Sequence, residues 1–407
     1  MNILVLTSVY PQPDDNGTVV TPTVKYFCEK WVEANHNVVV IHNRSSFPAL
    51  FYLLPEKLRK KLSSKLGFSF PTYAGRKPLH REDNGVNVYR LPLMKIVPHG
   101  KYSKRRINKQ LDRIEKILDE LSFKPDVIIS HWVNPQIQLL LPLKEKYKAI
   151  TSIVIHTDCS SKNINRFNML EITHNLDAIG CRNKTEAEYV KDALFLDHMP
   201  FICYSGIPDE EAEKYINRLK NRELNEPCRR EYIYVGRLVK YKNVDVIIKA
   251  LAKAFPDKNY RLHVVGDGAE LEYLKELDQE LTDGMCTVFH GQLPRQDVFD
   301  LMEKCNCFIM VSDNETFGMV YLEAMLTGCL TIASEKGGID GVIVDGENGF
   351  LSKQGDVEAL VSKLKQIDLL TQKQYESIRH MSISTAYKYR DSDVAQKYLE
   401  DVLHWKQ

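Results

Sequence analysis

No stretch of the chain approaches the roughly 18 uninterrupted apolar residues that a membrane-spanning helix needs. The opening run MNILVLTSVYP has strand length and lacks the basic region and cleavage site of a secretory leader. The expected location is therefore the cytoplasm, with a peripheral position on the inner face of the membrane as the second expectation. Cysteine is scarce in the patterns that matter. Nine cysteines are scattered mostly among apolar neighbours, and the one close pair, Cys305 and Cys307, fits neither a zinc site nor a redox CxxC. Reduced, buried thiols and no bound metal are expected. Low-complexity tracts and short-period repeats are missing, which excludes solenoids and disordered tails. The net charge of +1 offers no reason to expect a nucleic-acid partner.

What is present is globular composition: 407 residues, 43% hydrophobic and 27% charged, long enough for two domains. Charge is uneven along the chain. Residues 1–209 carry 29 Lys and Arg against 21 Asp and Glu, while the remainder carries 26 against 33. The first half is thus +8 and the second −7, so an anionic partner is expected for the first half.

Short Val- and Ile-rich runs alternate with helical spacing from end to end. Ile3–Thr7, Asn37–His42, Val86–Leu91, Asp126–Ser130 and Thr151–Ile155 read as buried strands, with helical patterns at Thr21–Asn35, Ser103–Leu121 and Pro135–Tyr147. The pattern weakens over Asp209–Arg230 and restarts at Tyr232–Val235, Leu262–Val265, Thr287–His290, Cys307–Val311 and Leu330–Ala333. This βαβα order predicts an α/β chain of two doubly wound parallel sheets joined by a polar linker. The expected division is 1–207, 208–385, and a C-terminal helix over 386–407 that packs back toward the first domain.

Three segments at strand ends carry candidate chemistry. The strand Cys307–Val311 runs into a turn holding Glu315, and a helix starting near Phe317–Gly318 holds Glu323. Ligands of open parallel sheets bind beyond the carboxyl ends of strands, where a helix N-terminus offers free N–H groups to a phosphate. Two carboxylates at that edge suit the hydroxyls of a polyol. After Tyr232–Val235 comes Gly236-Arg237-Leu238-Val239-Lys240-Tyr241-Lys242-Asn243, whose Arg237 and Lys242 suit a diphosphate. After Leu262–Val265 comes Gly266-Asp267-Gly268, where small residues permit a ligand to approach the backbone.

These segments resemble family 4 retaining glycosyltransferases of the GT-B fold. Glu315–Gly328 looks like that family's E-x7-E signature, ExFGxxxxEAMxxG, and the GRLxxxKN and GDGxExxxL segments resemble its other C-terminal signatures in the expected order. The resemblance is strong over about 231–351 and weaker before it. It implies two Rossmann-like domains facing across a cleft. It also implies Arg237 and Lys242 on a donor diphosphate, Glu315 on the donor sugar, N–H groups near Phe317, Gly318 and Met319 on phosphate or sugar oxygens, and Glu323 on the ribose. Gly236 and Gly266 complete the donor site. His156, just past a strand, resembles the family's active-site histidine beside the donor sugar. His131 and Asp158 are further acceptor or cleft candidates. The family's glycine-rich first loop is here Pro11–Thr18, with Gly17 as its one glycine, and Tyr204-Ser205-Gly206-Ile207-Pro208 carries Ser205 where the family has Asn.

The implied reaction moves a sugar from a nucleoside-diphosphate sugar to an acceptor hydroxyl with retention, and the nucleotide sugar is a substrate, so no cofactor is expected. Asp391-Ser392-Asp393 is the chain's one Asp-x-Asp and follows no strand, so cations and a helix end would replace a metal's charge. Hinges for closure are expected at Ile207–Arg230 and at the C-terminal helix. Leu54, Leu58, Leu62 and Leu66 among Lys57, Arg59, Lys60, Lys61 and Lys65 read as a basic amphipathic helix, and Lys101–Arg113 adds a second basic cluster. Two readings stand side by side: Leu54–Lys77 meets an anionic membrane or lipid-linked acceptor, or it packs its leucines on its own domain. A bacterial surface polysaccharide or glycolipid is the implied product. The rivals are a UDP-sugar 2-epimerase of the same architecture and a non-catalytic glycan-binding protein.

Overall fold

The computed structural model describes the chain outside residues 14–20, 49–51, 53–54, 56–57, 59–73, 96–99, 157–158, 225–226, 314 and 406–407. Gly17, Asp158 and most of Leu54–Lys77 therefore lie outside the described residues. In chain order the helices are α1 Thr23–Glu33, α2 Lys104–Glu120, α3 Gln136–Tyr147, α4 Ser161–Phe167, α5 Met169–His174, α6 Lys184–Ala193, α7 Asp209–Lys220, α8 Val244–Ala254, α9 Leu271–Thr282, α10 Arg295–Met302, α11 Met319–Thr327, α12 Val357–Asp368, α13 Gln372–Tyr387 and α14 Asp391–His404. Two compact units result. One comprises Met1–Arg182, Glu186–Cys203 and Val394–Gln407, the other Asn183–Thr185 and Tyr204–Asp393. The divisions at Cys203/Tyr204 and Asp393/Val394 stand several residues from the boundaries read in the sequence.

The first unit holds β1 Asn2–Thr7, β2 Asn37–His42, β3 Ser45–Ser46, β4 Leu79–Asp83, β5 Val86–Arg90, β6 Leu93–Met94, β7 Val127–His131, β8 Ile150–Val154, β9 Ala178–Cys181 and β10 Phe201–Ile202. Eight of them form one sheet in the order β10-β9-β8-β7-β1-β2-β5-β4, parallel except where β4 turns back on β5. β7 and the ends of β1 and β2 are buried on both faces, which is why they read as unbroken apolar runs. Thr7 pairs with His42 on one side and His131 on the other, so the strand order reverses beside β1. α2 buries Ile107, Gln110, Leu111, Ile114 and Leu118, one stripe at helical spacing, and turns its charges outward.

The second unit is a six-stranded, fully parallel sheet of β11 Cys228–Val235, β12 Arg261–Val265, β13 Thr287–Gly291, β14 Cys305–Met310, β15 Leu330–Ser334 and β16 Phe350–Ser352. Its order, β13-β12-β11-β14-β15-β16, is the 3-2-1-4-5-6 winding of dinucleotide-binding sheets, with the reversal between β11 and β14. The loops that leave those two strands are thus the ones expected to hold a ligand.

One expectation needs correcting. Asp209–Arg230 is not a linker: most of it is α7, which buries Ala212, Tyr215, Ile216 and Leu219, and the segment ends in β11. Ala212 and Tyr215 belong to the second unit's core. The composition misled because four apolar positions at helical spacing suffice to dock a helix whose other face is charged. Asp209, Glu210 and Glu211 in the first turn and Arg218 and Lys220 in the last also complement the helix dipole.

Candidate functional site

In the second unit the sheet reversal brings the loop after β11 and the loop after β14 together. Asn243, in the left-handed region at φ 54°, donates from Nδ2 to Val311 O (2.9 Å) and to Asp313 Oδ1 (2.7 Å). Asp313 N in turn donates to Tyr241 O (2.9 Å). These bonds hold Lys242 against Glu315, and the two side chains form an ion pair, 12% and 15% exposed. Arg237 is exposed and donates from Nη2 to the Tyr241 hydroxyl (2.8 Å), while the Tyr234 hydroxyl donates to Arg237 O (3.0 Å). Arg237, Lys242 and Glu315 therefore occupy one sheet edge within the second unit.

Gly318 precedes α11 in the left-handed region at φ 77°, and no side chain caps the helix start. A Cβ there would lie 2.7 Å from the Tyr321 ring, so glycine is required twice over. Phe317 is buried beside the Tyr204 ring, and Met319 opens the helix. No acid stands in the first turn, which leaves a positive helix end. Glu323 lies one turn further and meets Arg295, whose Nε (3.0 Å) and Nη2 (2.7 Å) both donate to its Oε1.

The glycines of the second loop act differently from the expectation. A Cβ on Gly266 would stand 1.9 Å from Gly236 O, and one on Gly268 would stand 2.1 Å from Leu238 O. Gly236 N donates to Val265 O (2.9 Å), and Leu238 N to Asp267 O (3.0 Å). The space that the missing side chains leave is filled by the neighbouring loop, so these glycines lock the Arg237 loop in place. Gly338 plays the same part for Glu315, since a Cβ there would meet Phe317 O at 2.7 Å and Glu315 Cγ at 2.8 Å. Arg295, Asp313 and Gly338 were not singled out in the sequence, and Asn243 stood in the GRLxxxKN segment without a role. The glycine pair at 337–338, in the turn after β15, was the available signal for Gly338.

In the first unit His131 ends β7 and is 1% exposed. Expected as a cleft candidate, it is instead enclosed: Phe27 stacks on it, and the Tyr398 ring stands edge-on. Its Nδ1 lies 3.1 Å from His156 Nε2, and its Nε2 lies 3.2 Å from the Tyr398 hydroxyl. Tyr398, His131 and His156 thus form one hydrogen-bonded chain, whose direction follows from the tautomers of the two imidazoles. Burial, reinforced by the charge of Arg182, pushes His131 down to about 3. The same causes, with His131 added, hold His156 well below the usual histidine range, so both are neutral near pH 7. His156 is half-buried and stacks on Trp132, with centroids 4.4 Å apart. Trp132 itself sits at φ 64°, a strained conformation for a bulky residue of the kind that gathers at functional sites.

Among the described residues no group of three or more His, Cys, Asp and Glu side chains could hold a metal ion, and no helix is long and apolar enough to cross a membrane.

Comparison with known proteins bears on this geometry. Over 98% of the chain, the structure superposes on sucrose-phosphate synthase from Thermosynechococcus elongatus, covering 98% of that chain at TM-score 0.67 and 18% identity. HepE from Anabaena, solved in complex with UDP and glucose, matches 99% of each chain at TM-score 0.62 and 18% identity. The fold is GT-B. Residues 216–386, which include Arg237, Lys242, Glu315 and Glu323, match the family model described as glycosyl transferases group 1. Sulfoquinovosyl transferase SQD2 from Arabidopsis thaliana is 32% identical over 166 residues, 39% of this chain and 31% of that protein. The chain spans less than two thirds of such relatives, with 43% and 65% of two others matched.

Proposed function

We propose that this GT-B chain is a retaining glycosyltransferase of the family 4 type. In this reading it moves a sugar from a nucleoside-diphosphate sugar to an acceptor hydroxyl, without a metal, in bacterial surface polysaccharide or glycolipid synthesis. One observation carries the reading. Arg237, Lys242, Glu315 and an uncapped helix start share the sheet edge where the strand order reverses in the second unit, and Glu323 follows on the same helix. Two cations and a helix end suit a diphosphate whose charge grows as it departs. Glu315 and Glu323 suit the hydroxyls of sugar and ribose. HepE, of the same fold, binds UDP and glucose, and the group 1 match covers the whole constellation.

Retention is what the family resemblance implies, and a front-face departure, with the leaving phosphate taking the acceptor's proton, suits a site whose residues position groups and stabilise charge. The first unit supplies His156 as a neutral imidazole for a sugar hydroxyl. An anionic membrane surface met through Leu54–Lys77, with a glycan or lipid-linked acceptor, belongs to the same proposal.

The test is calorimetric titration with UDP, GDP and ADP, with and without EDTA, on wild type and Arg237→Ala. Selective binding that survives EDTA and weakens in the variant is expected. Absence of binding to all three nucleotides would sink the reading and leave a repurposed glycan-binding fold.

A further inference from the structure

The two cations read as diphosphate ligands are held in different ways. Lys242 is paired with Glu315, whereas Arg237 has no ion pair among the described residues. The Arg237 guanidinium makes one hydrogen bond there, from Nη2 to the Tyr241 hydroxyl (2.8 Å). A hydroxyl is a neutral acceptor. It fixes the direction of a guanidinium without cancelling its charge, as a carboxylate would. A loose arginine samples many rotamers, and a ligand that meets it must first arrest them. An arginine already held by a neutral partner spares the ligand most of that loss and keeps its full charge for an anion.

Tyr241 is itself tied to both loops of the site. It stands in the short turn Lys240–Lys242 that leads into α8, and Lys242 N closes that turn on Val239 O (2.9 Å). The Tyr241 carbonyl accepts from Asp313 N (2.9 Å) in the loop after β14, and Asn243 Nδ2 holds Asp313 in turn (2.7 Å). The Tyr241 ring is 37% exposed, and the Lys242 ammonium lies 5.6 Å from its centroid. One side chain therefore adjoins both cations, Arg237 at the hydroxyl and Lys242 at the ring. The backbone of Arg237 is fixed by other bonds: Leu238 N donates to Asp267 O (3.0 Å), and the Tyr234 hydroxyl to Arg237 O (3.0 Å). Those bonds leave the direction of the guanidinium undetermined. Tyr241 supplies it.

We propose that Tyr241 is a positioning residue that aims Arg237, with its charge intact, at the diphosphate of the donor. The proposal rests on the nucleotide-sugar reading of this site. Tyr241 fills an unspecified position of the GRLxxxKN segment, so the motif itself carries no sign of the role.

The experiment is a double-mutant cycle on the full chain. Wild type, Tyr241→Phe, Arg237→Ala and the double variant are titrated calorimetrically with UDP, GDP, ADP and inorganic pyrophosphate. Tyr241→Phe keeps the ring and the backbone bond and removes only the hydroxyl. It should weaken the selected nucleotide about three- to tenfold, and Arg237→Ala about ten- to a hundredfold. In the Arg237→Ala background the tyrosine substitution should have no further effect, because it acts through the arginine alone. Equal losses of affinity in both backgrounds would show that Tyr241 serves the fold of the loop instead, and would overturn the proposal. So would wild-type affinity in Tyr241→Phe. A wild type that binds pyrophosphate but none of the three nucleotides would strike the nucleotide-sugar reading, while the cycle run with pyrophosphate would still decide whether Tyr241 aims Arg237. A wild type that binds none of the four overturns both.

Discussion

Arg295 holds Glu323 by one oxygen only: both of its contacts, 3.0 and 2.7 Å, reach Oε1. Oε2 has no protein partner among the described residues, which leaves it as an acceptor for a hydroxyl. The guanidinium is 43% exposed against 14% for the carboxylate, so the pair adds at most about 1 kcal/mol to stability. Its effect is orientation. Arg295→Ala should raise the UDP dissociation constant by about 3- to 10-fold with little change in melting temperature. Glu323→Ala should raise it by about 10- to 100-fold, the worth of a charged hydrogen bond. Calorimetry with Arg295→Lys, which restores charge without the fork, should give an intermediate value. Wild-type UDP affinity in Arg295→Ala would refute the orienting role.

Lys242 and Glu315 neutralise each other in a largely buried pair, so removing one strands the other. Lys242→Ala should therefore destabilise the second unit by about 1–3 kcal/mol. Glu315→Gln added to it should recover part of that loss. Urea denaturation of both singles and the double, read as a cycle, should give a coupling energy of about 1 kcal/mol or more. Additive losses would show that the contact contributes nothing to the fold.

The alternation of strands and helices was legible because parallel strands covered on both faces leave continuous apolar runs, as in Val38–Ile41 and Phe308–Met310. Arg237, Lys242 and Glu315 were legible as candidates because each stands in a loop that leaves a strand, and Glu323 because it lies eight residues after Glu315 on the helix that follows. α7 was not, since its four buried positions are diluted by charge. Arg295 lies 28 residues from Glu323, and Tyr398 lies 267 from His131. Neither partnership leaves a local spacing to read. The glycines were seen but their purpose was not, because what fills the space beside a glycine is decided by the packing of another loop.

That packing makes Gly268 a sensitive position. It lies outside the left-handed region, so Gly268→Ala meets no backbone penalty and reads only the clash with Leu238 O at 2.1 Å. A carbonyl cannot rotate away as a side chain can, so the Arg237 loop must shift. The expected cost is about 1–3 kcal/mol, as for other forced overpacking, with a matching loss of UDP affinity. Gly346→Ala is the control, since nothing lies within 4 Å of its Cβ position and its left-handed φ of 78° alone is strained. It should lower stability modestly and leave nucleotide binding intact. Equal UDP affinity in Gly268→Ala and wild type would show that the glycine contact does not set the loop.

The enclosed histidines of the first unit make it sensitive to acid. His131 and His42 are each held down to about 3 by burial and neighbouring arginines, whereas an unfolded chain protonates them near 6.5. Between those values the unfolded state binds protons that the folded state refuses, so stability falls as pH falls. Above about 6.5 both states are neutral, and neither residue contributes a slope. Within the window each histidine should remove up to about 1.4 kcal/mol per pH unit. His131→Gln removes one titration, so its stability should fall less steeply between about pH 6.5 and 4 than that of wild type, by about 1.4 kcal/mol per unit. Tyr398→Phe removes the hydroxyl but leaves the imidazole buried, so it should cost about 1 kcal/mol at pH 7 and keep the wild-type slope. Denaturation of the three proteins across that range separates the two effects. A His131→Gln slope equal to wild type would mean that His131 is already protonated in the folded chain, and the neutral contacts of His131 with Tyr398 and His156 would fall with it.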